Sequence, residues 1–372
     1  MGLSNRIVDL LVAKAKESRS PITVNFELLP VCNLDCKMCY IRTDWNTVKR
    51  EGGLLTIEDW LTLAKELKDT GTLFLLLTGG EVFLYPDFKT LYIELYKMGF
   101  VITINTNATL IDEQVVEWLA EYPPKCVSVS LYGSSNEIYK SLCGKEGMFT
   151  KVDHALTLLQ EANISVECKT LLTPLNASDL ENCWNYIKEK EIAYEVATYS
   201  FPATRRCEFK DQIRFTPKEA VDYTFMRNRL MSTDEEYQNE IIKYLQKYDN
   251  TKEIEGHNHY GFSCAASNTS CWITWQGKMT PCGMLNFPVT SPFEHGFLLA
   301  WEELKQLTDN IMLSSKCSHC DKRQICTVCP ASAYAETGQI SGTSQYHCKM
   351  TNLFLDEMKT YMESIGETYE KN

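Results

Sequence analysis

Short apolar runs alternate with longer amphipathic segments between about residues 22 and 200. The runs are rich in β-branched residues and bounded by turn residues, while the segments between them repeat apolar positions with a helical period. Alternating strands and helices are typical of βα units around a parallel sheet. The pattern predicts strands at 22–28, 73–78, 101–106, 126–131, 164–170 and 194–200. The predicted fold class is therefore α/β, as a partial (βα)6 TIM-like barrel.

The sequence also contains residues that predict where several of these helices begin and end. Thr56 with Asp59, and Ser178 with Glu181, have the spacing of capping boxes, and Gly99 follows an amphipathic run as a helix stop. Active sites of parallel barrels lie at the carboxyl ends of the strands. The loops that follow the predicted strands are therefore expected to converge on one site.

The same patterns divide the chain into four parts. Residues 1–21 are predicted to form an N-terminal helix, and residues 22–207 the barrel. Residues 208–260 are polar and of mixed charge, which predicts a helical bridge. Residues 261–372 contain a high density of cysteine and are predicted to form a separate C-terminal domain.

Composition and charge narrow the class of protein. The 372-residue chain has a formal net charge of −12, which argues against a surface that tracks nucleic-acid phosphates. No apolar run approaches the roughly 20 residues that span a bilayer, and the start lacks a secretory signal. Sixteen cysteines without export signals indicate metal binding or catalysis rather than disulfides. We therefore expect a cytoplasmic protein with no nucleic-acid or membrane partner.

Three cysteines lie within one short loop after the first predicted strand. Cys32, Cys36 and Cys39 follow a C-x3-C-x2-C spacing, with Tyr40 next to the last of them. Three thiolates can hold three irons of a [4Fe-4S] cluster and leave the fourth iron for another ligand. A zinc site is the alternative, but zinc normally takes four protein ligands.

This loop resembles the hallmark of the radical S-adenosylmethionine (radical SAM) superfamily, a C-x3-C-x2-C loop and an aromatic residue after the first strand of a partial barrel. The resemblance implies that S-adenosylmethionine chelates the open iron. It also implies that one-electron reduction cleaves the cosubstrate to a 5′-deoxyadenosyl radical, with a reductant such as flavodoxin or ferredoxin as partner.

Further matches to the superfamily lie at later strand ends. Gly79, Gly80 and Glu81 look like the glycine-rich motif that holds the methionine amino group, and glycine lets backbone approach a ligand closely. Asn107 lies in a motif similar to Thr-Asn-Gly, with Ala108 replacing the glycine. Similar enzymes imply that Ser130 meets the ribose and that Lys169 meets the carboxylate, although strand-end Ser and Lys are also often merely solvated. The resemblance identifies no catalytic residue.

The C-terminal cysteines resemble the SPASM extension of radical SAM enzymes, with one departure: two residues rather than three precede Cys329. The resemblance implies two auxiliary [4Fe-4S] clusters, with an open coordination site as an alternative at Cys329 and structural zinc as the alternative for both. A hairpin turning at Gln276-Gly277 is expected to aim Cys271 and Cys282 at one cluster. The implied ligands are Cys264, Cys271, Cys282 and Cys329 for the inner cluster, and Cys317, Cys320, Cys326 and Cys348 for the outer cluster.

The remaining cysteines fit neither pattern. Cys126, Cys168 and Cys183 fall in predicted strands or helices and are expected to be small core residues. Cys143 lies in a predicted loop and is a candidate active-site thiol, while Cys207 is unassigned.

Enzymes of this architecture mostly modify ribosomally made peptides, which makes peptide crosslinking or oxidation the predicted function. Anaerobic sulfatase maturation ranks second, because that branch has an aspartate where this chain has Gly283. Oxidation of a porphyrin or an aminoglycoside is a third possibility, and a non-catalytic iron-sulfur electron carrier is an alternative of another class. Only 31 residues precede Cys32, so a leader peptide would need a separate binding protein, or the substrate has no leader.

Overall fold

The computed structural model describes residues 3–203, 213–249 and 261–366. The strands are β1 (Thr23–Glu27), β2 (Phe74–Thr78), β3 (Val101–Thr106), β4 (Cys126–Ser130), β5 (Val166–Leu171), β6 (Ala193–Ala197), β7 (Ser270–Ile273) and β8 (Met279–Thr280). The helices are α1 (Leu3–Ser18), α2 (Trp45–Arg50), α3 (Ile57–Asp69), α4 (Phe88–Lys97), α5 (Glu113–Glu121), α6 (Asn136–Cys143), α7 (Met148–Glu161), α8 (Leu180–Glu189), α9 (Pro217–Met231), α10 (Asp234–Asp249), α11 (Pro292–His295), α12 (Phe297–Asp309), α13 (Ser315–Ser318), α14 (Pro330–Thr337) and α15 (Gln345–Ser364).

The predicted barrel strands are all present and belong to one sheet. The strand order is β6-β5-β4-β3-β2-β1-β7-β8, and every neighbouring pair is parallel except β7 with β8. The α/β fold class of the sequence is confirmed. The predicted hairpin at Gln276-Gly277 is also present, but its first strand pairs with β1 and so extends the barrel sheet.

Packing between the sheet and its outer helices forms the main core. Phe26 of β1 is fully buried and lies 4.5 Å from the ring of Trp60 on α3. Alternate residues of β1 therefore point towards the helices, and the residues between them point into the barrel. This division of each strand into two faces determines which side chains reach the site.

Two of the three predicted helix boundaries are confirmed. The Thr56 hydroxyl accepts from the Asp59 N–H while the Asp59 carboxylate accepts from the Thr56 N–H, which closes the capping box of α3. Gly99 follows α4 with a φ of +83°. The capping box at Ser178 is wrong, because residues 177–179 form a 3₁₀ turn that leads directly into α8.

The helices of the predicted bridge pack against the C-terminal helix. Buried side chains of α10 and α15 form a separate small core that includes Tyr237, Leu245, Leu355 and Met358. The predicted domain boundaries at 207 and 260, and Cys207, lie outside the described residues. In the ranges that the structure describes, no helix has the length and apolarity to cross a bilayer.

Candidate active site

One cavity at the carboxyl ends of the strands collects most of the site residues that were predicted in the barrel. Its volume is about 340 Å³. Of the predicted residues, its lining includes Cys32, Cys36, Cys39, Tyr40, Gly79, Gly80, Asn107, Ser130 and Lys169. The loops after β1, β2 and β3 and the carboxyl-terminal halves of β4 and β5 contribute these residues, so the expected convergence of strand ends is observed.

The cysteine loop is held at its back by the end of α6. The backbone N–H of Asp35 donates to the carbonyl of Cys143 at 3.0 Å, and that of Lys37 donates to the carbonyl of Leu142 at 3.0 Å. Cys143 is fully buried, and a hydrogen bond with its thiol, together with burial, raises the pKa of Cys36 well above its ordinary value. Cys143 thus lies behind the loop and not among the residues that line the cavity.

The two glycines after β2 are required by the approach of another backbone segment. A Cβ at Gly79 would lie 2.4 Å from the carbonyl oxygen of Leu29, and one at Gly80 would lie 2.1 Å from that of Val31. The N–H of Gly80 donates to Leu29 and that of Glu81 donates to Val31. The glycines therefore allow close packing that holds the segment before the cysteine loop in place. They also line the cavity.

Glu81 is fully buried behind the cavity and joins two strand ends. Its carboxylate accepts from the Thr106 hydroxyl at 2.7 Å, the Asn107 N–H at 2.8 Å and the Phe83 N–H at 3.3 Å. Burial raises the pKa of Glu81 to about 7, although these hydrogen bonds oppose the rise. The structure therefore gives Glu81 a supporting position and does not place it among the lining residues.

Asn107 and Cys32 are in contact with each other in the lining of the cavity. The Asn107 amide donates to Asn33 Oδ1 at 2.9 Å and lies 3.5 Å from the Cys32 sulfur. Burial raises the pKa of Cys32 to about 12, and the charges of Glu81, Cys36 and Cys39 add to this rise. A thiol with a pKa raised this far ionises to the thiolate at neutral pH only when a bound cation or metal cluster compensates the negative charge.

Lys169 has two acidic neighbours, one of which also lines the cavity. Its ammonium lies 3.0 Å from Glu167 and 3.5 Å from Glu195, and Glu195 also lines the cavity. Its charge is therefore already paired in the described structure.

Tyr132 is a lining residue that the sequence reasoning missed. It is close enough to Cys36 for a hydrogen bond that lowers the pKa of that thiol. Tyr132 follows Ser130 by two positions, so the strand period could have placed both side chains on the same face.

The predicted outer-cluster cysteines line a second cavity of about 230 Å³. Its lining includes Cys317, Cys320, Cys326 and Cys348, together with three basic residues, Lys316, Lys322 and Arg323. Burial raises the pKa of Cys348, and the other three thiols add to the rise. Within the described ranges, no three Cys, His, Asp or Glu side chains converge on a point that would hold a single ion.

Two of the other predicted inner-cluster cysteines influence the thiol of Cys282. Burial raises the pKa of Cys282 to about 11, and the charges of Cys329 and Cys264 contribute. Cys329 caps α14, where the Ser332 N–H lies 3.4 Å from its sulfur. Cys271 lies on β7 and is fully buried in the main core.

The three predicted core cysteines differ in exposure. Cys168 and Cys183 are buried as predicted, whereas Cys126 is only half-buried at the start of β4.

Comparisons with known proteins match this geometry. Residues 26–188 match the radical SAM superfamily. The AdoMet-dependent heme synthase of Methanosarcina barkeri is 25% identical over 334 residues, which cover 86% of this chain and 94% of that protein. The subtilosin biosynthesis protein AlbA of Bacillus subtilis is 30% identical over 153 residues, which cover 41% of this chain and 33% of AlbA.

Solved structures share the fold over most of the chain. SuiB of Streptococcus suis superposes with a TM-score of 0.66 at 20% identity, covering 91% of this chain and 80% of SuiB. The protein anSMEcpe with bound AdoMet superposes with a TM-score of 0.67 at 17% identity, covering 93% of this chain and all of that one. At 20% and 17% sequence identity, this structural similarity shows that the chain shares the fold of these two proteins.

Proposed function

We propose, from the premise that residues 26–188 of this chain form a radical SAM domain, that the chain is an enzyme that oxidatively modifies a ribosomally made peptide. The observation that carries the proposal is the single cavity at the strand ends. Three thiols, two close-packed glycines and the polar residues Asn107, Ser130 and Lys169 line that cavity together.

The donor set fits the group that the fold implies. Cys32, Cys36 and Cys39 would hold a [4Fe-4S] cluster, and the cavity in front of them would take S-adenosylmethionine. When bound, the cluster supplies the electron that cleaves this cosubstrate and generates a carbon radical.

The chain's own residues orient these groups. Glu81 fixes the ends of β2 and β3, and Asn107 donates towards the Cys32 sulfur. A separate reductant of the flavodoxin or ferredoxin class would deliver the electron. We also propose that a separate protein binds the leader segment of the substrate peptide.

The charge of the cavity favours a peptide over a tetrapyrrole. Of the described residues that line it, Lys169 and Glu195 are the charged ones, so their charges cancel. An iron porphyrin with several carboxylates would need clustered Arg or Lys side chains, which bind carboxylates in proteins. A cavity without clustered basic side chains is better matched to a peptide than to such a porphyrin.

A neighbouring cavity extends the space available to a long substrate. It has a volume of about 320 Å³, and Ile41 lines both cavities. Its lining is mostly polar and uncharged, including Thr43, Thr274 and Gln276, while Glu51 and Lys278 offset each other. These hydrogen-bonding groups suit an extended peptide that reaches the first cavity.

Porphyrin oxidation is the second candidate, because the heme synthase match spans most of both chains. Sulfatase maturation is disfavoured by the surroundings of Gly283. A Cβ there would lie 2.9 Å from the Trp272 ring, so the aspartate of that branch would not fit without a shift.

The cofactor part of the proposal has a direct test. Anaerobically reconstituted protein should contain about twelve irons if three clusters are present. Dithionite-reduced protein should convert S-adenosylmethionine to 5′-deoxyadenosine, and Cys36→Ala should abolish this conversion. Cys168→Ala, which removes a buried core thiol on β5, is the matched control and should retain it. Full conversion by the Cys36→Ala protein would contradict the assignment.

Substrate class is tested by mass spectrometry. Candidate precursor peptides encoded beside the gene are coexpressed with the enzyme, and coproporphyrin with iron is incubated with it in parallel. A peptide that loses two hydrogens indicates oxidation or a crosslink, and deuterium incorporation without net loss indicates epimerisation. A changed porphyrin mass with unchanged peptides would favour the second candidate.

A further inference from the structure

Three side chains beside the cysteine loop form a closed ring of hydrogen bonds. Asn107 Nδ2 donates to Asn33 Oδ1 at 2.9 Å, and Asn33 Nδ2 donates to Thr109 Oγ1 at 2.8 Å. The Thr109 hydroxyl completes the ring by donating to Asn107 Oδ1 at 2.6 Å. Asn107 and Thr109 are both buried. The ring therefore connects the loop after β3 to the residue that follows Cys32.

A backbone group fixes the direction of this ring. The Thr109 N–H donates to Asn107 Oδ1 at 3.0 Å, and a backbone N–H can only donate. The carbonyl oxygen of the Asn107 amide must therefore face Thr109, and its NH2 group must face Asn33 and Cys32. Reversing either the Asn107 or the Asn33 amide would bring two donors together. The ring can therefore form in this orientation only.

This orientation directs one amide hydrogen of Asn107 to a sulfur of the cysteine loop. One hydrogen is used by Asn33, and the Cys32 sulfur lies 3.5 Å from the same nitrogen, where it accepts the other. The carbonyl oxygen accepts twice, both times from Thr109. An asparagine amide has two donor hydrogens and two acceptor lone pairs. Every hydrogen-bonding position of the Asn107 side chain is therefore used, and none is left for a cosubstrate in the cavity.

The Cys32 sulfur also has a backbone donor, because the Leu34 N–H lies 3.4 Å from it. Hydrogen bonds to the sulfur ligands are among the factors that set the reduction potential of an iron-sulfur cluster. Reduction adds one negative charge, which the sulfurs share. A donor that is held in place stabilises the reduced form more than the oxidised form, so it raises the reduction potential.

We infer that Asn107 is a positioning residue that acts through the Cys32 thiolate to raise the reduction potential of the cluster held by Cys32, Cys36 and Cys39. Asn33 and Thr109 hold its amide in the donating orientation. This inference rests on the proposed function, because it needs that cluster. It assigns Asn107 to the cluster and not to S-adenosylmethionine, and it makes the cluster easier for an external reductant to reduce.

Asn107→Leu tests the inference, because leucine is of similar size and cannot donate. Redox titration of the anaerobically reconstituted protein is followed by electron paramagnetic resonance, and the signal of this cluster is the component that the Cys36→Ala protein lacks. We expect reduction to become about tenfold less favourable, which corresponds to a midpoint potential lower by about 59 mV for one electron. Iron analysis and melting curves show whether the variant still folds and binds the cluster.

A pair of substitutions at Thr109 tests the ring without touching the donor itself. Thr109→Ser keeps the hydroxyl and should retain the potential of the parent. Thr109→Val breaks the ring but keeps the backbone N–H, so it should lower the potential by less than Asn107→Leu does. Thr308→Val is the matched control, since it removes a buried hydroxyl that donates within α12. This control should leave the potential unchanged.

The outcomes separate this inference from the proposed function. A midpoint potential that is unchanged or higher in the Asn107→Leu protein would overturn the inference alone, because the ring would then be merely structural. Should that protein bind less iron, equal potentials for Thr109→Ser and Thr109→Val would overturn it instead. A parent protein without any signal that Cys36→Ala removes would overturn the inference together with the proposed function.

Discussion

At Gly80, the absence of a side chain lets the backbone after β2 pack directly against the backbone of Val31. Its Cβ position lies 2.1 Å from the carbonyl oxygen of Val31 and 2.4 Å from its carbonyl carbon, both of which are backbone atoms. Gly80→Ala should therefore displace the segment before the cysteine loop. We expect a loss of about 3 kcal/mol or more in the free energy of unfolding. Denaturant unfolding measures this loss, and iron analysis should show that the first cluster is bound less well.

Gly147→Ala is the matched control for this substitution. Gly147 has a φ of +71° and no atom within 4 Å of an added Cβ. Only the positive φ should matter there, at a cost of about 1 kcal/mol. Equal losses for the two variants would show that the contact with Val31 is unimportant.

Glu81 should make the free energy of unfolding of the protein depend on pH. Its pKa is raised by burial to about 7, compared with about 4.3 in an unfolded chain. The folded state therefore binds this proton more tightly. The stability contributed by the neutral carboxyl is complete below the unfolded pKa and is lost as pH rises through about 7.

Urea unfolding of the cluster-free protein and its Glu81→Gln variant tests this dependence. The free energy of unfolding of the parent minus that of the variant should fall between about pH 5 and pH 8, with a slope no steeper than about 1.4 kcal/mol per pH unit. A difference that rises over this interval would mean that the folded-state pKa of Glu81 is lowered instead.

At the scale of an element, the N-terminal cap of helix α3 shows how much a local sequence signal contributes to the free energy of unfolding. Thr56→Ala removes the hydroxyl that accepts from the Asp59 N–H, so the free energy of unfolding should fall by about 1 kcal/mol. Thr62→Ala on the exposed face of the same helix should change it by no more than about 0.5 kcal/mol. Thermal or urea unfolding distinguishes the two, and equal effects would argue against the cap.

The contrast between α3 and α8 explains why one capping box was predicted correctly and the other was not. Both pairs have the same spacing, but a cap also needs extended backbone at its first residue. Thr56 has a ψ of 169°, whereas Ser178 lies inside a 3₁₀ turn. Sequence spacing cannot show that difference, because it depends on how the Asn176 side chain folds the preceding loop against Thr173.

At the scale of the whole molecule, one mostly buried carboxylate links the barrel to the C-terminal cysteine-rich region. Glu336 of α14 accepts from the Tyr199 hydroxyl at 2.9 Å and pairs with Arg214. The Arg214 guanidinium also lies 5.1 Å from the ring centre of Tyr346. These contacts join the segment after β6 to α14 and α15.

Glu336→Ala should loosen this connection. The variant leaves the mostly buried Arg214 without its carboxylate, which should cost about 3 kcal/mol. Hydrogen exchange should become faster in α14 and in the segment after β6. Glu302→Ala removes an exposed pair with Lys305 on α12 and should cost less than about 1 kcal/mol. Unchanged exchange in the Glu336→Ala protein would contradict the proposed link.

The sequence alone determined the six barrel strands, the cysteine loop and the glycine motif, because strand periodicity and close cysteine spacing are local properties of the chain. The tertiary structure decided which faces these residues share. It placed Tyr132 beside Cys36, put Glu81 behind the cavity, and added β7 to the barrel sheet with Cys271 buried in the main core. Such placements depend on register and on contacts between distant segments, and residue spacing carries no information about either.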